Sequence, residues 1–521
     1  MPGLGAGEMP VAKKRRCPVF PTLGEVRSFA ESREYRRVPV AKELIADRFT
    51  PIEVVRAMRS ASRHCFLLES AEQDGRQGRY SFLGFRPTME ITCQNGLLRV
   101  REGNDGEGAV VEERVVAHPG PAIREVLARY KSPQVEGMPP LAGGLVGYFS
   151  YDYIKYAEPV LRVEGGAQGS EQPRDFRDVD LMLFDEMIVF DHLKQKVLVV
   201  AGVSLDDPDG VVAAYRRAEA RIDAVCSLLD SGAKAYFPPL RLTSPLRPRF
   251  SREEYARMVE RAKGYIREGD IFQVVLSNPQ TASAEGSMLD VYRVMRTANP
   301  SPYMFYFASD DIEIAGASPE TLARLENGTV RTFPLAGTRP RGENEAADRA
   351  LEAELLADKK ELAEHNMLVD LGRNDLGKIC ELGSVSVERY LSIHRFSHVM
   401  HIGSEVSGKL ACGFDAVDAV DAILPAGTLS GAPKLRACQI IEELEGAKRG
   451  IYGGAVGYLD FAGNLDTCIS IRLAYKKDGQ VCVQSGAGIV ADSDPDSEYE
   501  ECRNKARAVV AAIERAEGGI R

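Results

Sequence analysis

The sequence predicts a mixed α/β protein in two parts, and three observations support this prediction. Short alternating segments separated by Gly and Asn-Gly turns indicate many strands in residues 39–230. A Pro-rich stretch, 231–248, follows a predicted helix at 211–230 and is expected to be the main linker. In residues 249–521, longer helical segments alternate with strands. The 521 residues are enough for two or more domains or for one large intertwined structure.

The part of the chain before the predicted linker contains a tail and then mostly strands. Residues 1–38 include a basic cluster without an apolar stretch after it, so we expect a loose tail and no signal peptide. The stretches RYSFLGFRPTMEITCQNGLLRVRE and EMIVFDHLKQKVLVVAGV alternate as strands do. DLMLFDEMIVFDH, interrupted by acidic residues, predicts paired strands. The polar, Gly-rich stretch 163–175 predicts a surface loop.

Two glutamates in the second part, Glu361 and Glu364, are predicted to share one face of a helix. The preceding stretch, 346–360, consists of strong helix formers without Gly or Pro. Residues three apart lie on the same face, and an apolar run follows the pair. Charges that close to a core must be paired or must hold a metal. By themselves, the two residues are better described as a surface charge pair at a helix end, because carboxylates mostly stay exposed.

A second pair, Glu498 and Glu501, has the same spacing and is followed one turn later by Lys505. Two such pairs on two helices provide hard oxygen ligands for Mg²⁺, whose remaining positions would be filled by water and an anionic substrate group. Acidic residues are also common at the N-termini of helices, which explains the second pair without a metal. The residues alone therefore leave both interpretations open.

Other segments are suited to binding an anion. Two glycines in 485–490 let backbone N–H groups approach a carboxylate closely. The stretch 333–342 is predicted to gather a glycine, a threonine and two arginines in a turn. Arg472 lies in a predicted strand, where its cation needs a carboxylate partner. The stretch 427–434 lacks the Gly-Lys-Ser/Thr ending of a phosphate loop, which excludes nucleotide binding on that basis.

Composition excludes several classes of protein. Hydrophobic residues make up 44% and charged residues 27%, as in ordinary globular proteins. The formal net charge of −10 argues against nucleic acid or an anionic membrane as a main partner, and no apolar run is long enough to span a bilayer. The ten cysteines show no C-x-x-C or Cys/His spacing, which favours free thiols in a reducing cytoplasm and no zinc site.

The order of the segments in roughly residues 250–515 resembles the chorismate-utilising enzymes. The resembling segments are GDIFQVVLS (269–277), GASPETL (316–322), PLAGTRPRG (334–342), DLGRNDLG (370–377), GTLSGAPK (427–434), YGGAVGY (452–458), SGAGIVADSDP (485–495) and EYEECRNKA (498–506). Earlier in the chain, FLLESAE (66–72) and GRYSFLG (78–84) resemble the large subunits, or component I, of anthranilate synthases.

This resemblance implies a fold and a division of labour. The fold is an intertwined two-part structure in which large, mostly antiparallel β-sheets pack as a sandwich with helices outside. Residues 39–230 would form a regulatory, tryptophan-binding region, and residues 249–521 the chorismate-binding catalytic domain. The implied reaction converts chorismate and ammonia to anthranilate and pyruvate, in the cytoplasm, at the start of tryptophan biosynthesis. Alternatives are an aminodeoxychorismate synthase and a non-catalytic amino-acid sensor on the same scaffold.

The resemblance also assigns roles to individual residues. Glu364 and Glu501 would bind Mg²⁺, with Glu361 and Glu498 supporting them. The implied catalytic residues are Glu320 as the general acid, His401 in the elimination step, Thr428 and Gln273. The implied substrate-binding residues are Gly337, Thr338, Tyr452, Arg472, Gly486, Ala487, Gly488 and Lys505. The implied contacts to the inhibitor tryptophan are Glu69, Ser70, Pro302, Tyr303 and Met304.

Two positions distinguish members of the resembled family. Members that add water to the ring carry a lysine base where this chain has Gln273, whose amide cannot deprotonate water. Aminodeoxychorismate synthases carry a nucleophilic lysine where this chain has Ala336, which cannot form a covalent intermediate. Both differences favour attack by ammonia followed by aromatisation. Near His401, His398 is expected to be a surface residue.

The chain is expected to need a partner in order to use glutamine. A glutamine amidotransferase needs an activated cysteine, usually on a sharp G-x-C-x-G turn. The segment around Cys412 comes nearest to that pattern and lacks the first glycine. The sequence therefore predicts a separate glutaminase subunit in a heteromeric complex.

Overall fold

The computed structural model describes residues 18–71, 78–103, 110–161, 176–395 and 399–520. Within these ranges the chain forms 26 strands and 12 α-helices. The strands are β1 (Val19–Phe20), β2 (Arg37–Ile45), β3 (Cys65–Glu69), β4 (Tyr80–Phe85), β5 (Met89–Gln94), β6 (Leu97–Glu102), β7 (Val110–Val115), β8 (Gly144–Phe149), β9 (Val179–Phe184), β10 (Glu186–Asp191), β11 (Lys196–Ser204), β12 (Arg241–Leu242), β13 (Arg247–Pro248), β14 (Gln273–Glu285), β15 (Tyr303–Ala308), β16 (Ile312–Ser318), β17 (Thr321–Glu326), β18 (Thr329–Thr332), β19 (Leu335–Pro340), β20 (Ser386–Arg395), β21 (Val399–Lys409), β22 (Gly431–Ala432), β23 (Ala455–Asp460), β24 (Leu465–Ile469), β25 (Leu473–Lys477) and β26 (Gln480–Ile489). The helices are α1 (Leu23–Ser32), α2 (Pro51–Arg59), α3 (Gly120–Arg129), α4 (Ile154–Ala157), α5 (Val211–Asp230), α6 (Arg252–Glu268), α7 (Leu289–Ala298), α8 (Glu345–Ala357), α9 (Lys359–Gly377), α10 (Ala416–Ile423), α11 (Lys434–Glu445) and α12 (Pro495–Ala516).

The strands form two large antiparallel sheets. The first has 14 strands, in the order β1-β2-β11-β10-β4-β3-β15-β16-β25-β26-β14-β12, with β13 and β22 also paired to β14. The second has 12 strands, in the order β19-β21-β18-β17-β24-β23-β8-β9-β5-β6-β7, with β20 also paired to β21. The helices therefore pack against two separate sheets.

The two sheets pack face to face around an aromatic and aliphatic core. Phe66 of β3 and Phe184 of β9, which belong to different sheets, meet edge to face with ring centroids 4.7 Å apart. The next residue, Leu67, points the other way and packs in the core beneath α2, α5, α7 and α12. Helices α3, α9 and α10 cover the second sheet in the same manner. The predicted sandwich with helices outside is confirmed.

Both sheets take strands from both predicted parts of the chain. The first sheet combines β1–β4, β10 and β11 with strands from after residue 230, and the second combines β5–β9 with β17–β21, β23 and β24. The predicted linker, 231–248, contains β12 and β13, which pair with β14 at the sheet edge. The two parts are thus intertwined, as the resemblance implied. Their division into a regulatory and a catalytic region stays a prediction.

The prediction of a loose tail over residues 1–38 was wrong for its described part, since β1, α1 and the start of β2 lie within residues 18–38. Strand β1 pairs with β2, and Thr22 caps α1 in a capping box with Glu25. This T-x-x-E pattern is a local signal for the start of a helix. The prediction missed it because it considered only the basic cluster nearby.

Several local predictions are confirmed. Asn95 and Gly96 both have positive φ and form the two-residue turn between β5 and β6. Helix α5 occupies the predicted 211–230, and Ser251 caps α6 in the predicted capping box with Glu254. None of the helices in the described ranges is long and apolar enough to cross a membrane.

The stretch DLMLFDEMIVFDH does form two strands, β9 and β10, but they do not pair with each other. Strand β9 pairs with β5 and β8 in the second sheet, and β10 pairs with β4 and β11 in the first. The chain passes between the sheets at Asp185, which bonds Arg37 and Arg221. The prediction of a pair was wrong because both strands are apolar enough for either sheet.

Candidate active site

The site is centred where the chain crosses between the two sheets. Glu320 lies between β16 of the first sheet and β17 of the second, and Arg472 lies between β24 and β25. Because β16 pairs with β25 and β17 with β24, the two crossings are neighbours. The Ile469 N–H donates to the Glu320 carbonyl at 2.9 Å, and the Ala317 N–H to the Arg472 carbonyl at 3.1 Å. Backbone hydrogen bonds to strands of the two sheets thus fix the positions of Glu320 and Arg472.

Arg472 has a φ of 50°, in the left-handed region that bulky residues rarely adopt. It was predicted to lie in a strand, and that prediction was wrong, since the residue forms the bend between two strands. Strain of this kind persists only where the surrounding structure enforces it, and it is common at functional sites. Here the bend directs the guanidinium toward Glu320, whose pKa it lowers electrostatically.

Glu320 is a buried carboxyl group, with 8% of its surface exposed. Thr428, in the 3₁₀ turn Gly427–Leu429, donates its hydroxyl to Glu320 Oε1 at 3.1 Å. Burial raises the pKa of Glu320 to about 8, while Thr428, Arg472 and Lys505 act in the opposite direction. Glu320 is therefore protonated at neutral pH, as a general acid must be.

His401 lies opposite Thr338 on the paired strands β21 and β19. The pairing is irregular between Ala336 and Thr338, so Gly337, with a φ of 66°, is the extra residue of a bulge. His401 Nδ1 lies 3.1 Å from the Gly337 carbonyl and 3.0 Å from Thr338 Oγ1. Since a carbonyl only accepts, Nδ1 carries the proton and Nε2 is the basic nitrogen. Burial lowers the pKa of His401, which keeps the ring neutral.

The arginines of the same segment do not form the predicted anion-binding turn. Arg339 lies in strand β19 and bonds Asp358 at 2.8 Å and Glu354 at 2.9 Å. Arg341 makes two bonds to Asp348, which also accepts from a backbone N–H of the same segment. Both cations therefore hold the segment against α8 and α9, and the anion-binding prediction for them was wrong.

The glycines of the SGAGIV segment lie in strand β26, where they make room for two other site residues. A Cβ on Gly488 would lie 2.6 Å from Nε2 of Gln273, and one on Gly486 would lie 3.0 Å from the hydroxyl of Tyr452. Gln273 begins β14, the neighbouring strand, and its side chain is buried. Ala487, between the glycines, is fully buried. The predicted residues Gln273, Tyr452, Gly486 and Gly488 are thus brought together.

The helix predicted to lead into Glu361 is broken at Asp358. The residues predicted as one helix form α8 and α9, and the Asp358 side chain caps α9 by accepting from the N–H groups of Lys360 and Glu361. Strong helix formers did not prevent the break, because Arg339 from β19 also bonds Asp358 and fixes the cap. The break sets the direction of α9 and of the face that carries Glu361 and Glu364.

The two predicted pairs of glutamates come together from α9 and α12. Burial and the nearby carboxylates of Glu361 and Glu501 raise the pKa of Glu364. Burial and Glu501 likewise raise the pKa of Glu498. Lys505 is 2.8 Å from Glu501, one turn away on α12. These four glutamates, called the acidic group below, thus influence one another electrostatically across the two helices, and Lys505 offsets part of their charge.

This acidic group fits Mg²⁺ by its chemistry. Burial and neighbouring carboxylates raise the pKa of Glu364 and of Glu498, and a divalent cation would stabilise the charged forms of both. Mg²⁺ prefers such oxygen ligands. Among the described residues, no three His, Cys, Asp or Glu side chains lie close enough together to coordinate one ion. Mg²⁺ needs only one or two carboxylates when water and substrate complete its shell. The donor set is thus suited to an ion shared with a substrate.

Comparison with known proteins identifies the family of this chain. A family model described as chorismate binding enzyme matches residues 63–511, which include both predicted parts of the chain. The chain belongs to the chorismate-binding enzyme family. The match spans the sheet crossings and both glutamate pairs.

Individual relatives narrow this membership to one branch of the family. Anthranilate synthase component 1 of Acetivibrio thermocellus is 44% identical over 513 residues, covering 96% of this chain and 100% of that protein. The protein of the same name from Aquifex aeolicus is 44% identical and covers 95% of this chain and 98% of its own. The structure of anthranilate synthase component I from Streptococcus pneumoniae superposes with a TM-score of 0.71 at 36% identity, covering 89% of this chain and 98% of its own. This chorismate-binding enzyme is thus similar to large subunits over nearly its whole length.

A more distant neighbour shares only the fold. The menaquinone-specific isochorismate synthase MenF of Escherichia coli superposes with a TM-score of 0.66 at 20% identity, covering 94% of this chain and 98% of its own.

The chorismate-binding enzyme also contains a cavity of about 560 Å³ between strands of both sheets. All five residues predicted to contact an inhibitor line it. They lie in two adjacent strands or next to their ends, since Met304 of β15 pairs with Glu69 of β3. The resemblance implied that they would form two walls. The walls are neighbouring strands, and the remaining lining includes residues of β2, β4, β17, β23 and β24 and of the stretch 132–140.

One of these five residues, Glu69, has several hydrogen-bond partners within the protein, and its predicted contact to an inhibitor stays a prediction. The Glu69 carboxylate accepts from Arg296 at 2.8 and 3.0 Å, from Tyr292 at 2.6 Å and from Ser81 at 3.1 Å. These four donors use the acceptor positions of a carboxylate. Glu69 was expected to accept from the ammonium group of an inhibitor, and in this structure its carboxylate accepts from groups of the protein. Arg296 lies 227 residues away in sequence, so no local pattern predicted it.

Two further contacts of this chorismate-binding enzyme were not predicted. Lys434, which ends GTLSGAPK, bonds Asp375 of DLGRNDLG at 2.7 Å and so joins α11 to α9. Tyr303, in the cavity wall, lies 2.9 Å from the hydroxyl of Thr321, the residue after Glu320. The motifs themselves pointed to Lys434 and Asp375, but their pairing needed the fold. His398 and the loop predicted at 163–175 lie outside the described residues.

Proposed function

We propose that this chain is the chorismate-aminating large subunit of an anthranilate synthase, which converts chorismate and ammonia to anthranilate, pyruvate and water. One observation carries the proposal. Buried Glu320 accepts from Thr428 at 3.1 Å in the same site as Arg472 and His401, and its burial raises its pKa to about 8, which favours the acid form at neutral pH. An acid, a base and a cation for carboxylate binding are the groups that the reaction needs.

In the first step, Glu320 protonates the leaving C4 hydroxyl of chorismate while ammonia forms a bond to C2. Water departs, the ring double bonds shift, and Glu320 is left as a carboxylate. Thr428 donates to this carboxylate at 3.1 Å, and Arg472 and Lys505 stabilise its charge. These groups lower the energy of the charged form that the step creates.

In the second step, His401 removes the C2 proton through Nε2, and the bond from C3 to the enolpyruvyl oxygen breaks. The ring becomes aromatic and the leaving enolpyruvate takes up a proton to give pyruvate. The Gly337 carbonyl accepts from Nδ1 and so stabilises the imidazolium that forms. A neutral imidazole is the form that can accept this proton, and the lowered pKa of His401 favours it.

We further propose that Glu364 and Glu501 hold Mg²⁺, with Glu361 and Glu498 supporting them. When bound, the ion would neutralise the ring carboxylate of chorismate and withdraw charge from the ring. The raised pKa values of Glu364 and Glu498 support this proposal. Burial is the main cause of both shifts and neighbouring carboxylates add to them, so a bound cation would stabilise the charged forms. Arg472 would bind the substrate from the side of the sheets.

Two side chains support ammonia as the nucleophile. Gln273 is buried next to Gly488, and its neutral amide cannot take a proton from water. Ammonia needs no such base. Ala336, on β19 beside the bulge at Gly337, offers no nucleophile for a covalent intermediate.

We also propose regulation by tryptophan, bound in the cavity lined by Ser70, Pro302, Tyr303 and Met304. The cavity is large enough for an indole ring and combines apolar walls with polar groups. Its link to catalysis is short, because the Tyr303 hydroxyl contacts Thr321, which follows Glu320. A ligand that favours another position of Tyr303 would thereby act on the acid.

The test is the identity of the product. The chain is incubated with chorismate, Mg²⁺ and an ammonium salt, and the product is examined by fluorescence and mass spectrometry. Anthranilate and pyruvate in equal amounts are expected. A product that keeps the enolpyruvyl ether would instead identify an aminodeoxychorismate synthase, and an unreacted substrate would identify a sensor.

A further inference from the structure

A buried ion pair lies beneath the proposed active site and has no role in the steps above. Arg449 follows α11, and its guanidinium bonds Glu445, the last residue of that helix, through Nε at 2.9 Å and Nη2 at 2.5 Å. The two side chains are 1% and 5% exposed. Because desolvation offsets most of the attraction, a buried pair of this kind is often no more stable than apolar residues in its place. Its presence calls for another explanation.

The remaining donors of Arg449 reach two segments that carry catalytic residues. Nη1 donates to the carbonyl of Leu429 at 2.6 Å, and Leu429 directly follows Thr428. Nη2 donates to the carbonyl of Val275 at 2.7 Å, two residues after Gln273 on β14. A guanidinium is a rigid planar fork, so it fixes the distance between the groups that it bonds.

Arg449 also contacts two aromatic rings, and its partner Glu445 makes further hydrogen bonds toward strand β26. The Arg449 guanidinium carbon lies 4.6 Å from the ring centroid of Tyr151 and 5.8 Å from that of Tyr452. Glu445 accepts from the backbone N–H and the hydroxyl of Ser277, and that hydroxyl accepts from Gln484 at 2.8 Å. Gln484 precedes the glycines of β26.

We propose that Arg449 is a positioning residue of the active site, which holds the turn of Thr428, the strand of Gln273 and the ring of Tyr452 in register. The inference rests on the proposed function, in which Glu320 is the acid that Thr428 contacts. Arg449 itself touches none of the reacting atoms. Its effect passes through the Leu429 carbonyl to the hydrogen bond between Thr428 and Glu320.

A positioning role has a consequence that a purely structural role lacks. Glu320 is faced by Thr428, Arg472 and Lys505, all of which lower its pKa, while burial raises it. If the Leu429 carbonyl loses its donor, the Thr428 hydroxyl moves and its hydrogen bond weakens. The pKa of Glu320 then rises further, and the loss of activity at alkaline pH shifts to higher pH.

The experiment uses Arg449→Lys, which keeps the charge and removes the fork. The control is Arg221→Lys, whose guanidinium likewise joins a buried carboxylate, Asp185, to a backbone carbonyl. Arg221 lies in α5, which packs against β2 and β11, strands without proposed active-site residues. For Arg449→Lys we expect kcat to fall by about 10²-fold, as for a misplacement of about 1 Å, with a smaller change in KM. The control should keep both values.

The pH profile of kcat decides between the roles. In Arg449→Lys the alkaline limb should lie at higher pH than in the wild type, and Thr428→Ala should shift it similarly, with no further shift in the double variant. A wild-type limb in a folded Arg449→Lys would overturn the inference. If that variant does not fold, Arg449→Met combined with Glu445→Gln leaves no unpaired buried charge and should show the same shift. Absence of any limb that depends on Glu320 in the wild type would instead contradict the proposed function.

Discussion

Glu320 and its proton are the centre of the proposed chemistry. Replacement of Glu320 by Gln keeps the shape of the side chain but removes the acid, so kcat should fall by about 10²- to 10⁴-fold. In the wild type the rate should fall as pH rises through about 8, because the acid is then deprotonated. The residual rate of Glu320→Gln should not show this alkaline limb, that is, the fall in rate as pH rises through about 8. Anthranilate fluorescence measured across the pH range tests both expectations, and an unchanged limb in Glu320→Gln would assign it to another group.

The glutamates proposed to hold Mg²⁺ can be tested one by one. Glu364→Gln and Glu501→Gln should reduce activity by at least about 10²-fold, since each removes an oxygen ligand and its charge. Circular dichroism should show an intact fold, and calorimetry should show weaker Mg²⁺ binding. Glu514→Gln, an exposed position on the same helix α12, is the matched control. Full activity of Glu501→Gln in EDTA would contradict the metal site.

At the level of strands and helices, the bulge in β19 places Thr338 and His401 side by side. Gly337 has a φ of 66°, and a Cβ there would lie 3.1 Å from Leu355 and 3.2 Å from Glu361. Gly337→Ala should therefore lower the free energy of unfolding by about 1–2 kcal/mol and also lower kcat, because α9 must shift.

The control for that prediction is Gly328→Ala, in the turn between β17 and β18. Its φ is 75°, but no atom lies within 4 Å of the added Cβ. It should lose a similar amount of stability, measured by denaturant unfolding, and keep its activity. Equal activity in both variants would show that the bulge is not needed for catalysis.

Across the whole molecule, the cavity and the active site are joined by the pair Tyr303 and Thr321. Tyr303→Phe should keep the apolar wall and so bind tryptophan, but raise the concentration for half inhibition roughly 5- to 150-fold, the usual range of an allosteric coupling. Calorimetry measures binding and the enzyme assay measures inhibition. Ser70→Arg fills the cavity and should lose both. Equal inhibition of Ser70→Arg and the wild type would place the inhibitor elsewhere.

The source of ammonia depends on whether this chain can hydrolyse glutamine by itself or needs a partner subunit. The nine cysteines in the described ranges are free, and the exposed one, Cys412, lies in no nucleophile turn. The isolated chain should therefore produce anthranilate from ammonium salts and not from glutamine, while addition of a glutaminase subunit should restore the use of glutamine. Measurement of both substrates with the pure chain checks this, and turnover of glutamine alone would contradict it.

Local chemistry was enough to predict much of this protein. The turn at Asn95 and Gly96, the capping box of Ser251 and the glutamate pairs each depend on residues within a few positions of one another. Such short-range effects act in the same way in any fold. The order of the motifs then indicated the family, and with it the residues proposed to carry the chemistry.

Other features depend on contacts between distant parts of the chain. Neither the passage from β9 to β10 at Asp185 nor the bend at Arg472 has a local signal, because an apolar strand is equally suited to either sheet. The break at Asp358 needs Arg339 from another strand, and the bonds of Glu69 need Arg296, 227 residues away. Such pairings form only when packing brings distant elements together. Short-range sequence preferences therefore do not predict them.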